Sequence, residues 1–203
     1  DYMIGFQHIT EDGWRKFSPS HVNQLFAKTG WQSESTKLDL TYIGSDNSLI
    51  GNGLTPETLL SGDRDQINTR PDKTNNYSHF LALNGSHWLS ADTMLSGNIY
   101  YKKSNRRTVN GDGYEGDFRD ITDPATTSFL RGYPNVTCSE PADDCEVVGS
   151  VLNRTNTKQD TYGFTGQATF NQDFMGKENQ FVVGAGYDYS LIRFKQSEQV
   201  NLS

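Results

Sequence analysis

Thr161-Tyr162-Gly163-Phe164-Thr165-Gly166-Gln167-Ala168-Thr169-Phe170-Asn171-Gln172 is the stretch whose reading decides the fold. Tyr162, Phe164, Gly166, Ala168 and Phe170 share one parity, and Thr161, Thr165, Gln167, Thr169 and Asn171 the other. A period of two over this length marks a β-strand with one apolar and one polar face, and no 3.6-residue period competes with it. The pattern recurs at 179–195, where Phe181, Val183, Ala185, Tyr187, Tyr189 and Leu191 alternate with Gln180, Gly184, Gly186, Asp188 and Ser190. It recurs at 92–103 (Leu95, Gly97, Ile99, Tyr101) and at 36–44 (Leu38, Leu40, Tyr42). Segments 20–31 and 77–89 carry it with noisier faces, and residues 2–9 supply a candidate seventh strand.

The connections between these strands alternate in length. Gln32-Ser33-Glu34-Ser35, Ser90-Ala91 and the stretch Asp173 to Glu178 have hairpin lengths. Residues 45–76 and 104–160 read as long loops, which compact domains seldom carry without a reason. Short turns alternating with long loops predict an all-β, antiparallel up-and-down meander of about 6–7 strands. All short turns then lie at one end and all long loops at the other. Outer-membrane β-barrels have that asymmetry. The aromatics fit two girdles: Trp31, Trp88, Phe174 and Phe181 near the short turns, and Tyr42, Tyr100, Tyr101, Tyr162 and Tyr189 towards the long loops. A soluble all-β binding or adhesion module would instead bury the same faces against a second sheet. A passive porin-like barrel would share the fold.

Composition narrows the classes further. Of 203 residues only 33% are hydrophobic, yet 12% are aromatic and 19 are Gly. There is no run of 18 apolar residues, hence no transmembrane helix. A net charge of −7 argues against nucleic acid, whose phosphates need a basic surface. Low hydrophobicity is what a wide barrel with a wet interior would show. The N-terminal Asp1-Tyr2-Met3-Ile4-Gly5 lacks the basic and apolar regions of a signal peptide, and the chain reads as an internal piece of something longer. Cys138 and Cys145 lie seven apart in a polar stretch, which favours a local disulfide and an oxidising compartment.

Several segments resemble the mid-barrel of TonB-dependent outer-membrane receptors. They are Asp12-Gly13-Trp14-Arg15-Lys16-Phe17-Ser18-Pro19-Ser20 followed by Val22 to Phe26, Gly51-Asn52-Gly53-Leu54 leading to Leu59-Leu60, Thr69-Arg70-Pro71-Asp72, and Leu95 to Lys102 running on to Asn110-Gly111-Asp112. The likeness covers about residues 4–118, with the rest matching by strand pattern only. It implies that residues 1–203 form part of a transmembrane barrel whose plug and closing strands are absent from this sequence. It implies a bacterial outer-membrane location and lipid around the barrel. It also implies active uptake of a scarce nutrient, a ferric siderophore or other metal chelate, with TonB engaged only through parts missing here.

No catalytic motif is present: there is no Gly-x-Ser-x-Gly, no His-Glu-x-x-His and no phosphate loop, so no enzyme is expected. His8, His21, His79 and His87 form no ligand set, although His8 and His21 flank one hairpin. No cofactor is expected. Residues 110–117 have the oxygen density of a calcium loop but carry Tyr114 where a ligand belongs. Capture of an anionic or aromatic chelate would use Arg together with Tyr or Trp. The candidates are Trp14, Arg15, Arg70, Tyr77, Arg106, Arg107, Tyr114, Arg119, Arg131 and Tyr133.

Overall fold

The computed structural model describes residues 1–51, 53–55, 57–119, 136–138 and 144–201. They form one antiparallel sheet of β1 (Tyr2–Glu11), β2 (Ser20–Gln32), β3 (Thr36–Ile50), β4 (Asp72–Trp88), β5 (Thr93–Arg119), β6 (Val136–Cys138), β7 (Asp144–Phe170) and β8 (Phe181–Asn201). A single helical turn, α1 (Glu57–Leu60), interrupts the strands. The seven long strands run as a meander, β1-β2-β3-β4-β5-β7-β8, and the short β6 pairs with the far end of β7. The sheet is open, with β1 hydrogen-bonded along β2 and β8 along β7.

The three short turns fall where the sequence puts them. In the first, Ser33 N donates to Thr36 O at 2.8 Å, and Thr36 N donates back to Ser33 Oγ at 3.2 Å. In the third, Phe174 and Lys177 exchange both backbone hydrogen bonds around Met175 (φ 54°) and Gly176 (φ 73°). Two positive φ values in succession are what a tight turn matched to the strand twist demands, and Gly supplies the second at no steric cost.

The long loops are shorter than the sequence suggests. Strand β3 runs to Ile50, β4 begins at Asp72, β5 continues to Arg119 and β7 starts at Asp144. The first connection therefore spans 51–71 where the hydropathy pattern gives 45–76, and residues 104–119 and 144–160 of the second expected loop, 104–160, are strand. The reason is physical. Beyond the apolar stretch both faces turn polar, so the period vanishes from the hydropathy while the ladder continues. Ser45 bonds Ser78 across β3–β4 at 2.8 Å, and Thr108 bonds Thr155 across β5–β7.

Every strand pair keeps a single register from end to end. Without a bulge, alternation alone fixes the face of each side chain. One face carries an apolar belt. Its rows run Leu40–Leu83–Ile99–Phe164–Tyr187 and Leu38–Gly85–Gly97–Gly166–Ala185 across β3, β4, β5, β7 and β8. Ile4, Phe6, Leu25 and Trp31 extend the belt across β1 and β2. Phe170 stacks on Phe181 at its short-turn rim, with ring centroids 6.1 Å apart. Tyr42, Tyr101, Tyr162 and Tyr189 line its long-loop rim, where Tyr162 and Tyr189 lie 5.3 Å apart. The register moves Trp88 and Tyr100, expected in the girdles, onto the opposite face.

The belt is uncovered. Ile99 is 58% exposed and Phe164 52%, and among the described residues the only buried hydrophobic side chains are Ala82 and Val151. The opposite face is mainly polar, carrying Thr161, Thr165, Gln167, Ser96, Asn98 and Asn84 at the same height. On it the Tyr100 hydroxyl donates to the Asp188 carboxylate, reaching from β5 to β8 over the intervening β7. Gly163 makes this possible, because it is the direct partner of both Tyr100 and Asp188. A Cβ there would lie 2.8 Å from the Tyr100 ring and 2.9 Å from Tyr187 O.

Gly163→Val is expected to cost about 1–3 kcal/mol through overpacking against that ring and backbone. Tyr100→Phe, which removes only the hydroxyl, should cost less. Equilibrium urea unfolding reads both, and a neutral Gly163→Val would show that the three-strand joint is not formed.

Candidate functional site

The β1–β2 loop, residues 12–19, lies at the same end of the sheet as the β3–β4 connection, and the two are tied together. Gly13 (φ 74°) and Phe17 (φ 58°) bend the loop back on itself, and Ser18 is buried beneath it. The Lys16 backbone N donates to Asp65 O at 2.9 Å. Its ammonium donates to Asp63 and lies 3.3 Å from Asp65 Oδ1. Arg15 donates to Gly53 O and to Thr55 Oγ1, each at 3.3 Å. Two residues of a short loop, Arg15 and Lys16, thus anchor a connection some forty residues further along the chain.

Two guanidinium groups of this end rest on aromatic rings. Arg15 sits 4.8 Å from the centroid of Trp14, and Arg70 sits 4.4 Å from that of Phe17. Such stacking holds the planar cation by one face and leaves its N–H edge to a carboxylate or an aromatic oxygen ligand. Arg70 and Pro71 divide two hollows. One, of about 310 Å³, is lined chiefly by Phe17, Ile50, Ile67 and Pro71. The other, of about 600 Å³, is mixed, with Asn68, Asp112, Ser150 and Gln199 beside Val151 and Leu152 on its wall. Gly111 closes the base, where its N donates to Pro71 O and a Cβ would meet the Arg70 carbonyl.

Of the residues expected from sequence, Trp14, Arg15 and Arg70 therefore come together in one loop cluster. Arg106 and Arg107 separate: Arg106 lies on the polar face with Tyr100, whereas Arg107 lies on the belt face. Tyr77 also lies on the belt face, where its hydroxyl bonds His79 Nε2 while Tyr42 bonds His79 Nδ1 at 2.6 Å. Tyr114 and Arg119 occupy the part of β5 that continues past the end of β4. Arg131 and Tyr133 lie outside the described residues.

The 110–117 stretch is strand rather than loop. Asn110 to Asp117 pair residue by residue with Asn153 to Glu146. Alternating faces cannot wrap one ion, so the calcium-loop geometry does not form there. His8 spends both ring nitrogens on Asn23 and Thr10, and the described residues hold no cluster of three metal-ligating side chains. β6 sets Cys138 directly opposite Cys145. Opposed residues of an antiparallel pair have the Cα separation that a disulfide needs.

Lys16, Phe17, Asp63 and Asp65 carry no sequence signal as partners, because their meeting depends on loop packing rather than on any periodic pattern. Tyr77 and His79 were open to discovery as an i, i+2 pair on one strand face.

No family model matches the chain, and neither a curated protein nor a solved structure does.

The loop tie should be sensitive to acid. Hydrogen bonding with the Asp65 side chain, and then with Lys16, holds the Asp63 carboxyl down at about 2 from its ordinary 3.8. A depressed carboxylate pKa contributes stability that is complete above the ordinary value and is lost as pH falls through the folded one. Trp14 fluorescence is expected to stay constant down to about pH 4 and to change between there and pH 2. In Lys16→Met the change should begin at higher pH. A titration identical in both proteins would show that the ammonium does not hold the loop.

Proposed function

We propose that this chain is a sector of the β-barrel of a TonB-dependent outer-membrane receptor that actively imports a scarce nutrient, a ferric siderophore or another metal chelate. The uncovered apolar belt carries this reading. A sheet with one layer, an apolar face bounded by aromatic rims, and a polar opposite face suits lipid on one side and water on the other. A soluble module needs a second layer over the belt, and the described residues supply none.

The loop cluster of Trp14, Arg15, Phe17 and Arg70 then faces the exterior and helps capture the chelate, its cations meeting carboxylate or catecholate-like oxygens. Cys138 and Cys145 form a disulfide in the same exterior region, where oxidising conditions allow one to persist. Energy coupling through TonB belongs to parts of the protein outside this chain. The mid-barrel resemblance of residues 4–118 supports the receptor over a passive pore.

Two adjacent residues test the membrane placement in the whole protein. An arginine at the mid-bilayer on the lipid face costs about 2–4 kcal/mol, whereas lumen positions tolerate one. Phe164→Arg is therefore expected to deplete the protein from the outer-membrane fraction, while Thr165→Arg leaves it at the wild-type level. Equal tolerance of both would refute the lipid-facing belt. In cells bearing the wild type, uptake of a labelled ferric chelate should stop when the inner membrane is de-energised. Uptake that continues would favour a passive pore.

A further inference from the structure

Just beyond the tyrosine rim the belt face changes chemistry within one row. The register places four rows there across β4, β5, β7 and β8: His79–Lys103–Asp160–Leu191, Tyr77–Asn105–Lys158–Arg193, Asn75–Arg107–Asn156–Lys195 and Lys73–Val109–Arg154–Ser197. These rows hold Lys73, Lys103, Arg107, Arg154, Lys158, Arg193 and Lys195, all exposed. Their one carboxylate, Asp160, already accepts the Tyr101 hydroxyl at 2.8 Å. Among the described residues none of these cations makes an ion pair.

This concentration occurs in a chain of net charge −7. The polar face at comparable height is mixed, with Lys102 and Arg106 among Asp72, Asp112, Asp188 and Glu198. Lys158 stands directly opposite Arg193, and like charges opposed across a ladder work against pairing. An anion lying between them removes that cost. The patch is continuous with the apolar belt, so its anion must be carried by something whose remainder is apolar and lies along the belt. A soluble chelate entering by the polar face would not meet it.

We infer that this surface of β4, β5, β7 and β8 binds the phosphorylated headgroups of anionic lipid in the leaflet nearest the long loops. The inference rests on the barrel reading above. Acyl chains cover Ile99, Phe164 and Tyr187, the rim tyrosines sit at the level of the ester or sugar region, and the lysines and arginines clasp the phosphates.

The test uses the whole protein in neutral detergent, probed with diphosphoryl lipid A, its dephosphorylated counterpart and inorganic phosphate, with bound lipid counted by native mass spectrometry. Wild type is expected to bind the phosphorylated lipid at least about tenfold more tightly than the dephosphorylated one, with the preference shrinking as salt is raised. Inorganic phosphate at equal concentration should not displace it. The triple variant Lys103→Gln, Lys158→Gln, Arg193→Gln should lose the preference, and Lys37→Gln with Lys102→Gln on the other face should keep it.

A wild type without phosphate preference, a triple variant that retains it, or full displacement by inorganic phosphate would each overturn the lipid site. Heat-modifiable electrophoretic mobility after reconstitution separates the two levels. A protein that forms a barrel yet shows no preference defeats this inference alone, whereas one that never forms a barrel defeats both.

Discussion

A sheet one layer thick has no interior. Its apolar side chains can escape water only against something outside the sheet, and that constraint governs everything else in this molecule. About twenty large apolar and aromatic side chains stand on the belt face at least a third exposed. At about 1.5–3 kcal/mol for each such side chain fully buried, leaving them in water would forgo tens of kcal/mol. The net stability of a folded domain is only about 5–15 kcal/mol. The belt therefore calls for an apolar covering, and the low overall hydrophobicity follows, since only one face over part of each strand needs to be apolar.

The other face obeys the opposite rule. There the strands are joined laterally by polar contacts that tolerate water: Lys28 to Asp39 at 3.6 Å across β2 and β3, and Gln159 to Ser190 at 3.0 Å across β7 and β8. Exposed pairs of this kind add little stability each. Their value lies in keeping the face wettable while the ladder supplies cohesion. The same economy appears at the loop end, where Arg15 and Lys16 fasten the 51–71 connection with hydrogen bonds to backbone and carboxylates rather than with a hydrophobic plug.

Much of this was legible in the sequence, and the failures have a common cause. The strand ends next to the short turns emerge from alternation within one or two residues, because Leu95, Phe170 and Phe181 begin the belt there. The opposite ends were lost wherever both faces turned polar, as from Lys103 onward in β5. Hydropathy reports the surroundings of a strand, whereas the hydrogen bonds that make it a strand leave no such trace. Arg106 and Arg107 show the same limit. As neighbours in sequence they read as one basic site, and the pleat sends them to opposite faces of the sheet. The Lys16–Asp63 tie left no signal, since it joins two irregular segments.

The unbroken registers also say how such a chain can change length over generations. Removing one residue from β5 would invert the face of every side chain on one side of the lesion, placing lysines in the belt and leucines in the water. Removing two would preserve parity but slide β5 against both β4 and β7, and each neighbour would have to follow. The segments 12–19 and 51–71 carry no such bookkeeping. Variation in length is thereby channelled to one end of the sheet, while the turns at the other end and the strands between stay locked in step.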